Sequence, residues 1–371
     1  MKLAIISHTN HYTNSSDTIV GWGPTVSELN HLAPHFETIY HVAVLHPFLE
    51  APASAIPYTA HNIELVPLQP TGGKTALDKL RIISSMPEVL STIRNTLRKV
   101  DVFQFRGPTG IGVYVIPYLM WFSSKKGWFK YAGNWNQSHA PFAFALQRWL
   151  LKQQSRKVTI NGVWPAQPQQ CISFENPCLT MAERTLGLEV IQKKTYEDPF
   201  HFCFVGRLDD AKGVHLIVEA LLKLKGASSV GTMHFIGDGP KKETYKKTCE
   251  TNAIEAVFHG FLPRENVFKI YEKCHFILLP SKSEGFPKVI AEGMNFGCIP
   301  IASNVSSIGQ YIRESGFLVH PVNGQVLSDV MTKAMNCGAY VLQEKAKAGH
   351  AVTESFTFEH YNNRVLSELI R

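Results

Sequence analysis

Along the second half of the chain, short apolar runs alternate with segments whose apolar residues recur every three or four positions. Runs at Phe202–Val205, Met233–Ile236, Val257–Phe261, Phe276–Leu279, Ile299–Ala302 and Phe317–Val319 predict strands. Between them, Val214, Leu216, Ile217, Ala220, Leu221 and Leu224 fall on one helical face, and Val267, Ile270 and Tyr271 on another. Strands alternating with helices predict an α/β domain, a parallel sheet covered on both faces. Ligands of such sheets bind beyond the carboxyl ends of the strands, so the loops after these runs are where chemistry is expected. The first half is less regular. It opens with a strand at Leu3–Ser7, has apolar runs at Tyr40–Val44 and Val102–Phe105 and carries a basic helix near Leu77–Lys99, a pattern that suits a second sheet domain. Asn161–Pro177 is rich in Pro, Gln and Asn, and Gln192–Pro199 is polar, which puts the hinge near Asn176–Pro199. The expected division is 1–178 and 199–355, with the helical pattern of Phe356–Arg371 packing back on the first domain.

A length of 371 residues with 44% hydrophobic content fits two domains of comparable mass. The seven cysteines form no CxxC pair and no Cys/His ligand spacing, which points to a reduced, intracellular protein. The opening MKLAIISHTN is too short in apolar residues for a signal-peptide core, and nowhere do eighteen apolar residues run together. A cytoplasmic protein is expected, one that does not span a membrane. The net charge of +7 is uneven: residues 1–178 hold 15 Lys/Arg against 9 Asp/Glu, and the rest are nearly balanced. Between Lys74 and Lys157, 14 basic residues face only Asp78, Glu88 and Asp101, so this stretch should seek an anionic partner.

Three motifs in the second half carry chemistry. In VGRLDDAKG the strand ends at Val205, and Arg207 and Lys212 bring a guanidinium and an ammonium beside a helix N-terminus. Amide groups, helix dipole and two cations together suit a diphosphate, and in a transfer reaction they would stabilise it as it leaves. The other reading of Arg207 and Lys212 is a solvated pair in an ordinary loop. In IGDGP, Gly237 and Gly239 form either a tight strand-to-helix connection or a bare backbone that a phosphate or sugar can approach. The most informative stretch is PSKSEGFPKVIAEGM. Glu284 lies in the loop after a strand, Pro287 pre-sets the first turn of a helix, and Glu292 follows on that helix. Glu292 is then about 7–8 Å along the axis from Pro287. Carboxylates accept hydrogen bonds from paired hydroxyls, so Glu284 can hold a transferred sugar and Glu292 a ribose, while the amides of Gly285, Phe286 and Lys288 face the phosphates.

Taken together, the run from Gly206 to Pro300 resembles the donor-binding domain of glycosyltransferase family 4, of the GT-B fold. The resemblance rests on the strand-end GR with its following Lys, the GDGP turn, FHGFLP, and EGFP with a second Glu beyond it, and it covers about a quarter of the chain. It implies two Rossmann-like domains facing each other across a cleft, and retaining transfer from a nucleotide sugar. Arg207 and Lys212 would lie on the diphosphate, Glu292 on the ribose and Glu284 near the sugar. It also implies no cofactor and no catalytic metal, and the eight Asp residues nowhere form Asp-x-Asp.

The first half resembles the family less closely. GWGPTVSEL, with Gly21 and Gly23 before a helix, takes the place of its glycine loop, and VFQFRGP offers Arg106 where many members carry a His. Asn134 and Trp135 are candidates to line the acceptor side, Trp135 alternatively being a buried structural residue. Arg148, Lys152 and Arg156 recur at helical spacing with Phe142, Leu146, Trp149 and Leu150 on the other face, and Trp121, Phe122, Lys125, Lys126, Trp128, Phe129 and Lys130 mix aromatics with cations. Such surfaces suit either an anionic membrane where lipid-linked acceptors reside or a core-facing helix with a solvated basic side. Nucleic acid is not expected, because no binding module accompanies the charge.

The expected activity is that of a glycosyltransferase acting on an acceptor hydroxyl; the resemblance implies a role in cell-surface polysaccharide or glycolipid assembly, and the basic surfaces would suit a peripheral place on the inner face of the membrane. Two alternatives stand beside it, a non-catalytic sugar-nucleotide-binding partner and a GT-B sugar-nucleotide epimerase. The base, the sugar, the acceptor and the linkage are not legible.

Overall fold

The computed structural model describes residues 1–46, 49–73, 75 and 81–370. It divides into two units, Met1–Glu175 with Tyr361–Arg371, and Asn176–His360. The chain therefore enters the second unit at Asn176 and returns to the first at Tyr361.

The first unit holds a nine-stranded sheet: β1 Lys2–Thr13, β2 Ile19–Trp22, β3 Thr38–His46, β4 Ala55–Pro57, β5 Ile63–Leu68, β6 Val102–Gly107, β7 Lys126–Tyr131, β8 Val158–Ile160 and β9 Cys171–Ser173. Seven of these are parallel in the order β5-β3-β1-β6-β7-β8-β9, and β2 and β4 extend the end of β1 antiparallel. Both faces are buried, in phase with the pleat: Leu3, Ile5, Val102 and Trp128 join one core, and Ala4, Ile6, Phe103, Phe105 and Phe129 the other.

That alternation corrects the reading of the aromatic and basic stretch as one surface. Lys126–Tyr131 is an interior strand in which Trp128, Phe129 and Lys130 are buried, while Trp121 and Phe122 remain exposed. Lys130 is tolerated inside because its ammonium meets Glu28 Oε1 at 2.7 Å. A second correction concerns Arg148, Lys152 and Arg156. The helix Phe142–Lys152 ends before Arg156, so the three form no helical row. The Arg148 guanidinium donates to the carbonyls of Asn134 and Gln137, and that of Arg156 to those of Ser123 and Lys125. Phe142 and Trp149 are exposed, whereas Leu150 alone of the expected apolar face is fully buried. Of the basic helix expected at Leu77–Lys99, Met86–Leu97 is helical, and 76–80 lie outside the described residues, as does Lys74.

The second unit is a six-stranded parallel sheet: β10 Phe200–Val205, β11 Val230–Ile236, β12 Ala256–Gly260, β13 Phe276–Leu279, β14 Ile299–Ser303 and β15 Phe317–Val319, in the order β12-β11-β10-β13-β14-β15. Every strand run read from the sequence lies here within three residues of its expected ends, the largest difference being β11, which starts at Val230 instead of Met233. The helices Val214–Lys223, Lys242–Thr251, Arg264–Lys273, Lys288–Asn295 and Gly324–Met335 pack on it around a continuous apolar core. All seven cysteines are free thiols, six of them buried. Among the described residues no helix is long and apolar enough to cross a membrane.

At the boundary, Cys178 N donates to Phe356 O and Phe358 N to Leu179 O, both at 2.8 Å, so the entering and leaving strands of chain are tied together. The last segment is helical at Phe358–Arg364 and wider-wound at Val365–Ile370. Within the first unit, Tyr361 and Val365 sit in the core with Trp128, and Arg364 bonds Glu175 Oε2 and Ser173 O, both at 2.9 Å.

Candidate functional site

In the second sheet β10 and β13 are neighbours, yet from β10 the chain builds outward through β11 and β12 before returning to β13 and building the other way. Their carboxyl-terminal loops leave the sheet at this topological switch point, the place where such sheets bind ligands. The loops concerned are 206–213 and 280–287, which hold Arg207, Lys212, Glu284, Gly285, Phe286 and Pro287.

Local chemistry sets both loops. The Asp209 carboxylate accepts from Lys212 N at 3.1 Å and caps the short turn Asp210–Lys212. Gly213 follows at φ +77°, and a Cβ there would lie 2.1 Å from Pro280 O, so only glycine lets the two loops touch. Lys282 N donates to Ala211 O at 3.1 Å. Ser303 Oγ holds Ser281 O at 2.6 Å, and Ser307 Oγ holds Gly285 O at 3.1 Å. Phe286 is buried against the rings of Tyr311 and Phe356, at centroid distances of 4.7 and 4.6 Å. The consequence is that Lys212 Nζ stands 2.6 Å from Glu284 Oε1, whose side chain is only 10% exposed. The amides of Gly285 and Phe286 donate to no described residue. They border this ion pair and the N-terminus of the helix Lys288–Asn295, an arrangement suited to anionic oxygens. Pro287 is extended (ψ 122°) and caps that helix instead of occupying its first turn, because the helix starts at Lys288.

Glu292 lies on the same helix, with Oε1 2.5 Å from Arg264 and the side chain 12% exposed. Arg264 was not picked out from the sequence, although its place directly after Pro263 at a helix start was a usable signal. The serines at 281, 303 and 307 carried none, since their role is to hold carbonyls of distant loops.

Other candidates stand differently. Arg207 is 64% exposed and pairs with Asp209 of its own loop at 3.1 Å, so the structure does not join it to Lys212 and Glu284. Gly237, at φ +123°, and Gly239 have no room for a ligand where a side chain would be: a Cβ would lie 2.0 Å from Gly206 O and 2.4 Å from Leu208 O respectively. They interlock the turns after β10 and β11, with Gly206 N on Ile236 O and Leu208 N on Asp238 O, both at 2.9 Å. The same holds in the first unit. A Cβ on Gly21 would meet the His11 ring at 2.3 Å and one on Gly23 would meet Ser54 O at 2.8 Å, so packing within the chain accounts for both glycines.

Arg106 is also committed within its own unit. Its guanidinium bonds Glu28 Oε1 and Gln104 Oε1, both at 2.7 Å, and Lys130 holds the same carboxylate. Close by, buried His41 bonds Ser7 Oγ at 2.8 Å and Tyr58 OH at 2.6 Å, and burial, His11 and Arg106 together hold its pKa well below the usual histidine range. Asn134 is half-buried and its side chain accepts from Asn136 N at 3.1 Å, while Trp135 is buried.

Residues 189–351 match the model of the glycosyl transferases group 1 family. Over 113 residues the chain is 30% identical to the serotype-specific mannosyltransferase WbdA of Escherichia coli, covering 30% of this chain and 14% of that protein. Over 134 residues it is 33% identical to the sulfoquinovosyl transferase SQD2 of Arabidopsis thaliana, covering 35% and 24%. The chain spans under half the length of the curated relatives it matches. Its fold is that of the sucrose-phosphate synthase of Thermosynechococcus elongatus (TM-score 0.73, 15% identity, 98% of this chain and 97% of the other). It is likewise that of Anabaena HepE in complex with UDP (0.70, 14%, all of both chains). The family match thus covers under half of the chain, residues 189–351, and the whole chain has the GT-B fold.

Proposed function

We propose that the protein is a glycosyltransferase that moves a sugar from a nucleoside-diphosphate donor to an acceptor hydroxyl with retained configuration, the donor lying at the carboxyl ends of β10 and β13. The observation that carries this reading is the Lys212–Glu284 contact across the switch point, bordered by the unengaged amides of Gly285 and Phe286. Lys212 and those amides offset the charge that builds on the diphosphate as its bond to the sugar C1 breaks. The acceptor oxygen bonds to C1 on the same face, and its proton passes to the departing phosphate oxygen, so no separate general base is required. Glu284 positions sugar hydroxyls and keeps the Lys212 ammonium in place. Glu292 Oε2, which accepts no hydrogen bond from the described residues, receives the ribose hydroxyls. The reading needs no catalytic metal. Solved complexes of HepE with UDP and with UDP-glucose support a nucleotide-sugar donor.

For the acceptor we infer a cell-surface glycan or glycolipid, in line with the sulfoquinovosyl transferase and mannosyltransferase relatives. Exposed Trp121, Phe122, Phe142 and Trp149 add support for an acceptor met at a lipid surface. The test is sugar release from UDP-, GDP- and ADP-sugars by the purified protein, with and without a lipid-linked acceptor. Release that needs Lys212 and Glu284 is expected. Donor binding without any release would favour a non-catalytic binding partner.

A further inference from the structure

We propose that Arg264 is a positioning residue that holds the Glu292 carboxylate in place for the donor ribose, an inference that rests on the role given to Glu292 above. Arg264 opens the helix Arg264–Lys273 and spends its guanidinium on three partners. One terminal nitrogen is 2.5 Å from Glu292 Oε1, Nε is 3.0 Å from Glu183 Oε1, and the other terminal nitrogen donates to Cys178 O. The cation also lies over the Phe268 ring, 4.5 Å from its centroid. A planar fork held on two edges and one face cannot swing, which a flexible ammonium in its place could do.

The anchor on the far side is itself fixed. Glu183 Oε2 accepts from Thr180 N at 2.8 Å, and Thr180 Oγ1 accepts from Glu183 N at 3.2 Å, a capping box at the start of the helix Met181–Lys193. Thr180, Glu183, Arg264 and Glu292 therefore form one chain of charge-assisted bonds ending on the carboxylate. Oε1 of Glu292 is engaged and Oε2 is not, so the free oxygen has a defined direction. Without Arg264 the glutamate returns to several rotamers and the hydroxyl grip loses its geometry. Because the Arg264 side chain is 42% exposed, the network adds little to stability, and its effect should fall on ligand geometry. The same guanidinium holds Cys178 O, two residues after the chain enters this unit at Asn176, so ribose grip and crossover backbone share one cation.

The experiment compares whichever of UDP, GDP and ADP binds with its 2′,3′-dideoxy counterpart, by calorimetric titration of the full chain. The wild type is expected to prefer the ribo form by at least about tenfold, the worth of a hydrogen bond to a charged group. In Arg264→Met that preference should drop below about threefold, with affinity for the dideoxy form unchanged and the melting temperature within about 3 °C. Should Arg264→Met fail to fold, Arg264→Lys serves, since a lysine reaches one partner at a time and should lose part of the preference. Equal weakening of both nucleotides, or a preference undiminished in either variant, overturns the proposal. Wild-type binding without any preference for the hydroxyls overturns it through Glu292, and no binding of all three nucleotides overturns the donor reading along with it.

Discussion

Lys212 Nζ and Glu284 Oε1 lie 2.6 Å apart, and this one ion pair joins the loops that leave β10 and β13. The two residues are 72 positions apart in the chain and meet because the sheet is doubly wound. Removing the ammonium should leave the fold intact and the leaving group unsupported. Lys212→Ala is expected to lower kcat by about 100- to 1000-fold, the cost of losing one preorganised electrostatic group. Steady-state kinetics on the donor check it.

The two carboxylates should separate by kinetic parameter. In the proposed reaction Glu284 positions the transferred sugar, so Glu284→Ala should act chiefly on kcat, and Glu292→Ala chiefly on donor KM, by about tenfold or more. Unchanged kinetics in both variants would remove them from the site.

Gly213 is where the loops close on each other, with φ +77° and a Cβ position 2.1 Å from Pro280 O. Gly213→Ala should cost about 2 kcal/mol or more and weaken nucleotide binding at the same time, because the added methyl pushes Pro280 and with it Glu284. Thermal unfolding with and without nucleotide reads both effects.

In the first unit, Glu28 neutralises both Arg106 and Lys130 in a buried setting. Glu28→Ala removes the carboxylate that the two buried cations share and should destabilise that unit by about 3–5 kcal/mol. All six tryptophans precede residue 176, so tryptophan fluorescence during urea unfolding follows this unit alone. An unshifted midpoint would mean that Arg106 and Lys130 are satisfied elsewhere.

Acid should weaken the second unit through His275. Its Nδ1 accepts from His201 N at 2.9 Å and its Nε2 meets Thr195 O at 3.1 Å, so the bonded imidazole is neutral, with the proton on Nε2. Burial first, then Lys194 and His201, lower its pKa to about 4. Because the folded pKa lies below the unfolded one, stability is full above pH ~6.5 and is lost as pH falls toward about 4, by at most about 3 kcal/mol at this site. His275→Gln should flatten part of the pH dependence of the circular-dichroism melting temperature. His234, lowered to about 4 by burial and His259, should supply a further share.

Much of the second unit was legible because its strands are short, wholly apolar and separated by amphipathic helices. Lys212 and Glu284 stand out in the sequence because each lies in the loop after a strand end, and Glu292 because it is on the helix that follows. What escaped was set by partners distant in sequence. Lys126–Tyr131 opens with a lysine, follows Lys125 and has Lys130 inside, so it reads as surface; Glu28, some 100 positions away, helps make Lys130 an interior residue. Arg106 stands out because VFQFRGP lies where many members of the resembled family carry a His, and its partner Glu28 is out of local view. Gly237 and Gly239 showed that backbone closeness was needed, and nothing local says that the close neighbour is Gly206 or Leu208 instead of a ligand.

The central claim is that a nucleoside diphosphate sits over the paired loops of the second sheet. Calorimetric titration of the wild type and Lys212→Ala with UDP, GDP and ADP tests it most directly. The account predicts that at least one of the three binds the wild type and binds Lys212→Ala at least about tenfold more weakly, consistent with loss of a charge-assisted contact. Equal affinity for the two proteins, or no binding of any of the three to the wild type, would contradict it.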